Sequence, residues 1–305
     1  MSNVVNSPTT SGDDASLKFQ AETDALLEKV SEQVDLEVFD PHDEEILRDL
    51  VERLGDPRGL IRLRVAETLG EIGEPATPYL MAALATHQNV VVRRAAAKTL
   101  TIIADPRSVP TLVQALLTDE DTVVHGSSVG ALARMGEASV PVLLEILAAP
   151  DRPETTKGHA AWALSFIGVE AKEYLYREVN SESTAVRSAV VGAIAKIAQE
   201  HPEETSAFDV LVAALDDTEA NVRCEAAAVL GNLVYLPAQA KLLELLHHPD
   251  WESRKSAALA LMKLGDRQVI SALETALTAE SEVGVQTVMK LAISQLSKSA
   301  DVDDW

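Results

Sequence analysis

The chain has 305 residues and a formal charge of -22 at neutral pH, with 47% hydrophobic but only 4% aromatic residues. Phosphate binding needs a basic face that releases counterions, so this charge speaks against nucleic acid and against an anionic membrane surface. One cysteine, Cys224, excludes an intramolecular disulfide and a zinc site built from several thiolates. No apolar run reaches the roughly 20 residues that span a bilayer, and the N-terminus lacks the basic start and apolar core of a secretory signal, so no membrane span and a cytoplasmic location are expected.

Residues 1–15 are polar and turn-forming and predict a disordered tail, because so little apolar surface does not offset the entropy of ordering. Residues 16–44 read as an acidic N-terminal arm in which Leu17, Phe19, Leu26, Leu27 and Val30 support a helix outside any repeat register. Residues 1–44 carry eleven acidic and two basic side chains, -9 of the total charge, so the arm is either a solubilising segment or a docking tail.

From residue 45 to 296 one pattern returns, seen most plainly from Val92 to Ala104. It places a small β-branched residue first, a basic residue second, small residues fifth and sixth, and Leu ninth, offsets that make one face of a helix. The ninth place runs Leu69, Leu100, Leu132, Leu164, Ile194, Leu230 and Leu261, at intervals of 30 to 32 residues with one of 36. Such a period predicts an all-α solenoid of about eight helix pairs winding into a curved right-handed superhelix.

First helices are expected in Ile46–Leu54, Thr77–Ala85, Val109–Leu117, Val140–Leu147, Lys172–Val179, Phe208–Leu215, Ala238–Leu246 and Val269–Leu277. Pro78, Pro110 and Pro141 suit a first turn, where a missing N–H costs nothing. Asn89, Asp121, Ser183 and Asp250 precede second helices as N-caps. The thirteenth place, with Gly73, Ala104, Gly136, Gly168, Ala198, Val234 and Gly265, suits helix ends. The long interval marks an insertion at residues 199–206. The last pair, ending in residues 283–296, carries Gly284 at the basic place and reads as a C-terminal cap, followed by an acidic tail at 297–305.

This pattern resembles HEAT repeats, and its short period resembles the variant named after the phycobilisome lyases of cyanobacteria and red algae. The resemblance covers residues 45–296 and is specific for architecture more than for activity. It implies a relation to E/F-type phycobilin lyases, which attach or move linear tetrapyrroles on phycobiliprotein cysteines, to lyase-like proteins of phycobilisome breakdown, and to a partner of an iron-sulfur scaffold. Deoxyhypusine hydroxylase shares the fold, but its di-iron site needs His-Glu pairs, and none of the seven His residues here is followed by Glu.

The second place reads Arg62, Arg93, His125, Lys157, Arg187, Arg223 and Arg254. Its arginines predict a structural ladder to loop carbonyls or to acids such as Asp56, Asp119, Asp217 and Asp250. The fourth unit departs from the rest, because His159, Trp162 and Phe166 share a helix face at spacings of three and four. Gly130 and Gly192 flank Trp162 in its column, and Arg134 and Lys196 flank Phe166. An indole between glycines leaves room for a flat ligand with cations for carboxylates at the rim, or else it fills the space the glycines leave. His125 stands as a further candidate beside Gly126. His247 and His248 read as a turn, since adjacent His residues on a loop do not converge on a metal. No nucleophile–base pair or phosphate loop is recognisable, so no catalytic or metal residue is assigned.

The expectation from residues and resemblance together is a protein-binding solenoid assisting bilin attachment, removal or phycobiliprotein turnover. Its ligand would be a transient phycocyanobilin and its partner a phycobiliprotein subunit, with a second lyase-like subunit where catalysis needs one. The rivals are an adaptor or assembly scaffold without bilin, and an accessory to iron-sulfur delivery that would use Cys224.

Overall fold

The computed structural model describes residues 11–298, and side chains from residue 14. It is all-α and divides into two units, residues 1–139 and 140–305. The first unit holds α1 (Ser11–Asp35), α2 (Glu44–Arg53), α3 (Gly59–Ile72), α4 (Thr77–Thr86), α5 (Val90–Ile103), α6 (Val109–Thr118) and α7 (Thr122–Arg134). The second holds α8 (Val140–Ala148), α9 (Glu154–Ile167), α10 (Lys172–Glu178), α11 (Thr184–Glu200), α12 (Thr205–Ala213), α13 (Ala220–Asn232), α14 (Gln239–Leu245), α15 (Trp251–Leu264), α16 (Ile270–Ala279) and α17 (Val283–Lys298). From α2 onward these are eight pairs. Among the described residues no helix is long and apolar enough to cross a membrane.

Within each unit second helices stack on second helices, α3 on α5 on α7 in the first and α9 on α11 on α13 on α15 on α17 in the second. The ninth-place residues form the spine of this stack, and all seven are 0% exposed. Each such burial contributes about 1.5–3 kcal/mol. Asn89, Asp121, Ser183 and Asp250 all cap their helices, each side chain accepting from an N–H two or three residues on.

The thirteenth place ends the second helix by turning left-handed. Gly73, Gly136, Gly168 and Gly265 have φ of 76°, 58°, 58° and 76°, and Ala104 and Val234 adopt 55° and 51°. Ala198 is the exception because α11 runs on to Glu200, so the insertion lengthens this helix before the chain turns.

Two expectations need correction. Helix α1 starts at Ser11, within the stretch read as a tail, whereas residues 1–10 and 299–305 lie outside the described residues. Thr23, Leu27 and Val30 are buried to 1% exposure or less, and α1 packs on α3 as a preceding second helix would. Arg58 fastens it with two hydrogen bonds of 2.9 Å to Asp24. In the last pair the basic place falls on Gln286, not Gly284. Val285 is buried at 0% while Val283 is 74% exposed, and Gln286 Nε2 donates to the Glu280 carbonyl at 2.7 Å.

Candidate functional site

The second place of the repeat has one recurring geometry. Each of its arginines reaches back six residues to a carbonyl of the loop before its own helix: Arg62 to Asp56 at 2.6 Å, Arg93 to His87 at 3.0 Å, Arg187 to Ser181 at 2.8 Å, Arg223 to Asp217 at 2.6 Å, and Arg254 to His248 at 2.9 Å. His125 Nε2 lies 2.5 Å from the Asp119 carbonyl, so it stands in the same rung. The free edge of the guanidinium then grips an acid of the next repeat. Arg93 forks onto Asp119 at 2.7 and 3.1 Å, Arg187 onto Asp217 at 2.8 and 2.9 Å, and Arg254 onto Glu280 at 2.7 and 2.9 Å. Arg93 beside Asp119 holds that carboxyl below its usual range. Arg223 instead donates to Ser253 at 2.9 Å, with Asp250 at 3.6 Å. Asp56 offers Arg62 only its carbonyl, because Arg58 occupies its carboxylate.

Lys157 breaks this row. Its side chain is only 13% exposed, makes no bond to a loop carbonyl among the described residues, and meets Glu154 at 3.7 Å. It lines a groove of about 650 Å³ that crosses α9, α11 and α13. Trp162 of α9 forms one wall, Gly192 of α11 lies in the floor, and Glu225 of α13 closes the far side, with Ser165, Ser188 and Asn221 also in the lining. Trp162 is 51% exposed and Phe166 59%, so the indole does not fill the space above the glycine. The two rings stack on each other with centroids 5.5 Å apart and planes at 29°, an i, i+4 pair on the outer face of α9.

Glu225 is the residue that sequence reasoning missed. Its Oε1 lies 3.5 Å from where a Cβ on Gly192 would stand, so the carboxyl reaches over the floor of the groove. It has no hydrogen-bond or ion-pair partner among the described residues, and burial pushes its pKa up. A signal existed: two places after the basic residue the column reads Arg64, Ala95, Ser127, His159, Ala189, Glu225 and Ser256, and Glu225 is its sole acid.

A family model described as HEAT repeats matches residues 47–133 and 208–294. The chain belongs to the HEAT-repeat family. It is related to cyanobacterial bilin lyase and bilin biosynthesis proteins: the bilin biosynthesis protein MpeU of Synechococcus sp. (strain WH8020) is 39% identical over 257 residues, 84% of this chain and 86% of that protein. A phycocyanobilin lyase subunit alpha of Picosynechococcus sp. is 42% identical over 82 residues, 25% of this chain and 31% of that one. Among solved structures, the karyopherin Kap121p bound to the C-terminus of a phosphatase aligns with a TM-score of 0.61 at 13% identity, over 96% of this chain and 37% of its own. At that identity the likeness concerns the fold alone.

In this HEAT-repeat protein the other sequence candidates fall in different places. His159 is half-buried on α9 and is not among the residues that line the groove, nor is Phe166. Lys196 is engaged by Glu200 at 3.0 Å. Arg134 ends α7 in the first unit, exposed and with no partner among the described residues. Gly130 lies one turn before it, and a Cβ there would meet nothing within 4 Å. Cys224 is half-buried, outside the groove lining, and burial raises its thiol pKa, which works against a reactive thiolate.

Proposed function

We propose that this protein seats a linear tetrapyrrole in the groove across α9, α11 and α13, and serves bilin attachment, removal or turnover on a phycobiliprotein subunit. The observation that carries the reading is the exposed Trp162, stacked on Phe166 and forming one wall of the groove over a residue with no side chain. A flat conjugated ligand gains from an aromatic wall and needs a floor its plane can approach closely. Lys157, released from the ladder and met by Glu154 only at 3.7 Å, supplies a shielded cation for a propionate, a role that Lys196, held by Glu200 at 3.0 Å, fills less well. The relatives' bilin-related names support the same ligand class.

The groove offers no nucleophile with an adjacent base, so its contribution is positioning: holding the tetrapyrrole in a set orientation towards the acceptor thiol of a bound protein. The acidic chain calls for basic surface on that partner. The test is a titration of the purified protein with free phycocyanobilin, read by visible absorbance, beside Trp162→Ala. Trp162 is half exposed, so the variant should keep its helical content and lose roughly three- to tenfold in affinity, the scale of one aromatic stack. Undiminished affinity in Trp162→Ala would remove the groove from the mechanism. Capture of a protein partner without any pigment would identify an adaptor instead.

A further inference from the structure

A carboxyl drawn partly out of water with nothing to bond is a cost to the folded protein. Elsewhere in the second unit acids near the stack have partners: Asp217 has Arg187, Asp250 caps α15 and Glu280 has Arg254. Glu225 has none, and it points across Gly192 into the space that Trp162 bounds on the other side. Water reaches it in the open groove, and a ligand that brings N–H donors or positive charge would satisfy it better. The groove's own cation, Lys157, is met only loosely by the exposed Glu154 at 3.7 Å, and among the described residues no contact joins it to Glu225.

Resting on the tetrapyrrole reading above, we propose that Glu225 is the residue that orients the chromophore, accepting hydrogen bonds from pyrrole N–H groups of a bilin whose ring face lies on Trp162. The two ends of the groove then sort the ligand by chemistry. Its donor-bearing nitrogens go to the carboxylate and its propionates to Lys157, so the same edge of the bilin faces Glu225 in every complex. A carboxylate beside pyrrole nitrogens also favours the protonated, cationic chromophore over the neutral one. Bound bilin should therefore show the stronger, longer-wavelength absorption of the protonated form.

Glu225→Gln tests this directly, since it keeps the shape, removes the charge and breaks no existing bond. Free phycocyanobilin is titrated into wild type, Glu225→Gln and Trp162→Ala, with affinity and the position of the long-wavelength band read from the same spectra. The expected result is a roughly tenfold weaker complex for Glu225→Gln, the scale of a charge-assisted hydrogen bond, together with loss of the long-wavelength band. If Glu225→Gln binds as tightly with an unchanged spectrum while Trp162→Ala fails, the groove stands and the role of Glu225 is overturned. If wild type binds no bilin, both readings fall. An arginine-bearing peptide that binds wild type and is lost in Glu225→Gln would in that case show a guanidinium as the donor that the carboxylate takes.

Discussion

Replacing Glu280 by Gln measures how much one rung of the arginine ladder contributes. Arg254 forks onto this carboxylate at 2.7 and 2.9 Å while its third nitrogen holds the carbonyls of His248 and Pro249, both at 2.9 Å, and the Glu280 side chain is only 2% exposed. The Arg254 guanidinium, aided by backbone N–H groups, pushes the Glu280 pKa down from 4.5 to about 2. That drop corresponds to about 3 kcal/mol of preference for the charged form on folding, of which an uncharged amide that still accepts from Arg254 leaves a net loss of about 1–2 kcal/mol. Because the folded value lies below the unfolded one, this stability is fully present above pH 4.5 and is lost as the pH falls towards 2. Urea unfolding followed by far-ultraviolet circular dichroism should therefore find Glu280→Gln less stable than wild type by about 1–2 kcal/mol at neutral pH. At about pH 3, inside that window, the gap should narrow by half or more. A gap that is the same at both pH values would mean that shape, not charge, carries the rung.

Other expectations follow from single positions. Val234 holds a left-handed φ of 51° that a β-branched residue tolerates poorly, so Val234→Gly should raise stability by about 1 kcal/mol in the same assay. Gly231 meets the α15 backbone so closely that an added Cβ would stand 2.8 Å from Ala260 Cα, and Gly231→Ala should cost about 1–3 kcal/mol by forcing α13 and α15 apart. Gly192→Ala meets only Glu225 Oε1 at 3.5 Å inside α11, so it should raise stability by about 0.5–1 kcal/mol while phycocyanobilin affinity falls. Burial raises the Glu225 pKa, so this group favours folding below its unfolded value and opposes it as the pH rises through the folded one. Glu225→Gln should consequently be at least as stable as wild type at pH 7, as chemical denaturation will show.

Architecture was legible in the sequence because the spine repeats: Leu or Ile at the ninth place, a capping side chain before α5, α7, α11 and α15, and a helix-ending residue at the thirteenth place are all local requirements. The last pair was misplaced because Val283 and Val285 are both β-branched and two residues apart, which puts them on different faces of α17. Spacing alone does not say which one turns inward, whereas the Glu280 carbonyl that anchors Gln286 does. Trp162 stood out against its glycine neighbours, but its exposure is a tertiary fact. Glu225 was harder still. Its meaning comes from lying over a glycine of the adjacent helix, and a column of mixed small and charged residues does not announce which member lacks a partner.

The missing rung at Lys157 has a dynamic consequence. In the second unit α11, α13, α15 and α17 are each tied by a side chain to the loop before them, and α9 is the one second helix without that tie among the described residues. The wall that carries Trp162 is thus free to tilt by small amounts without breaking a charge-assisted bond, while the floor at Gly192 sits on an anchored helix. Amide hydrogens at the start of α9 should exchange faster than their counterparts in α11, and slow down when the groove is filled. A clamp with one hinged jaw and one fixed jaw suits a protein that must both take up a cargo and give it away.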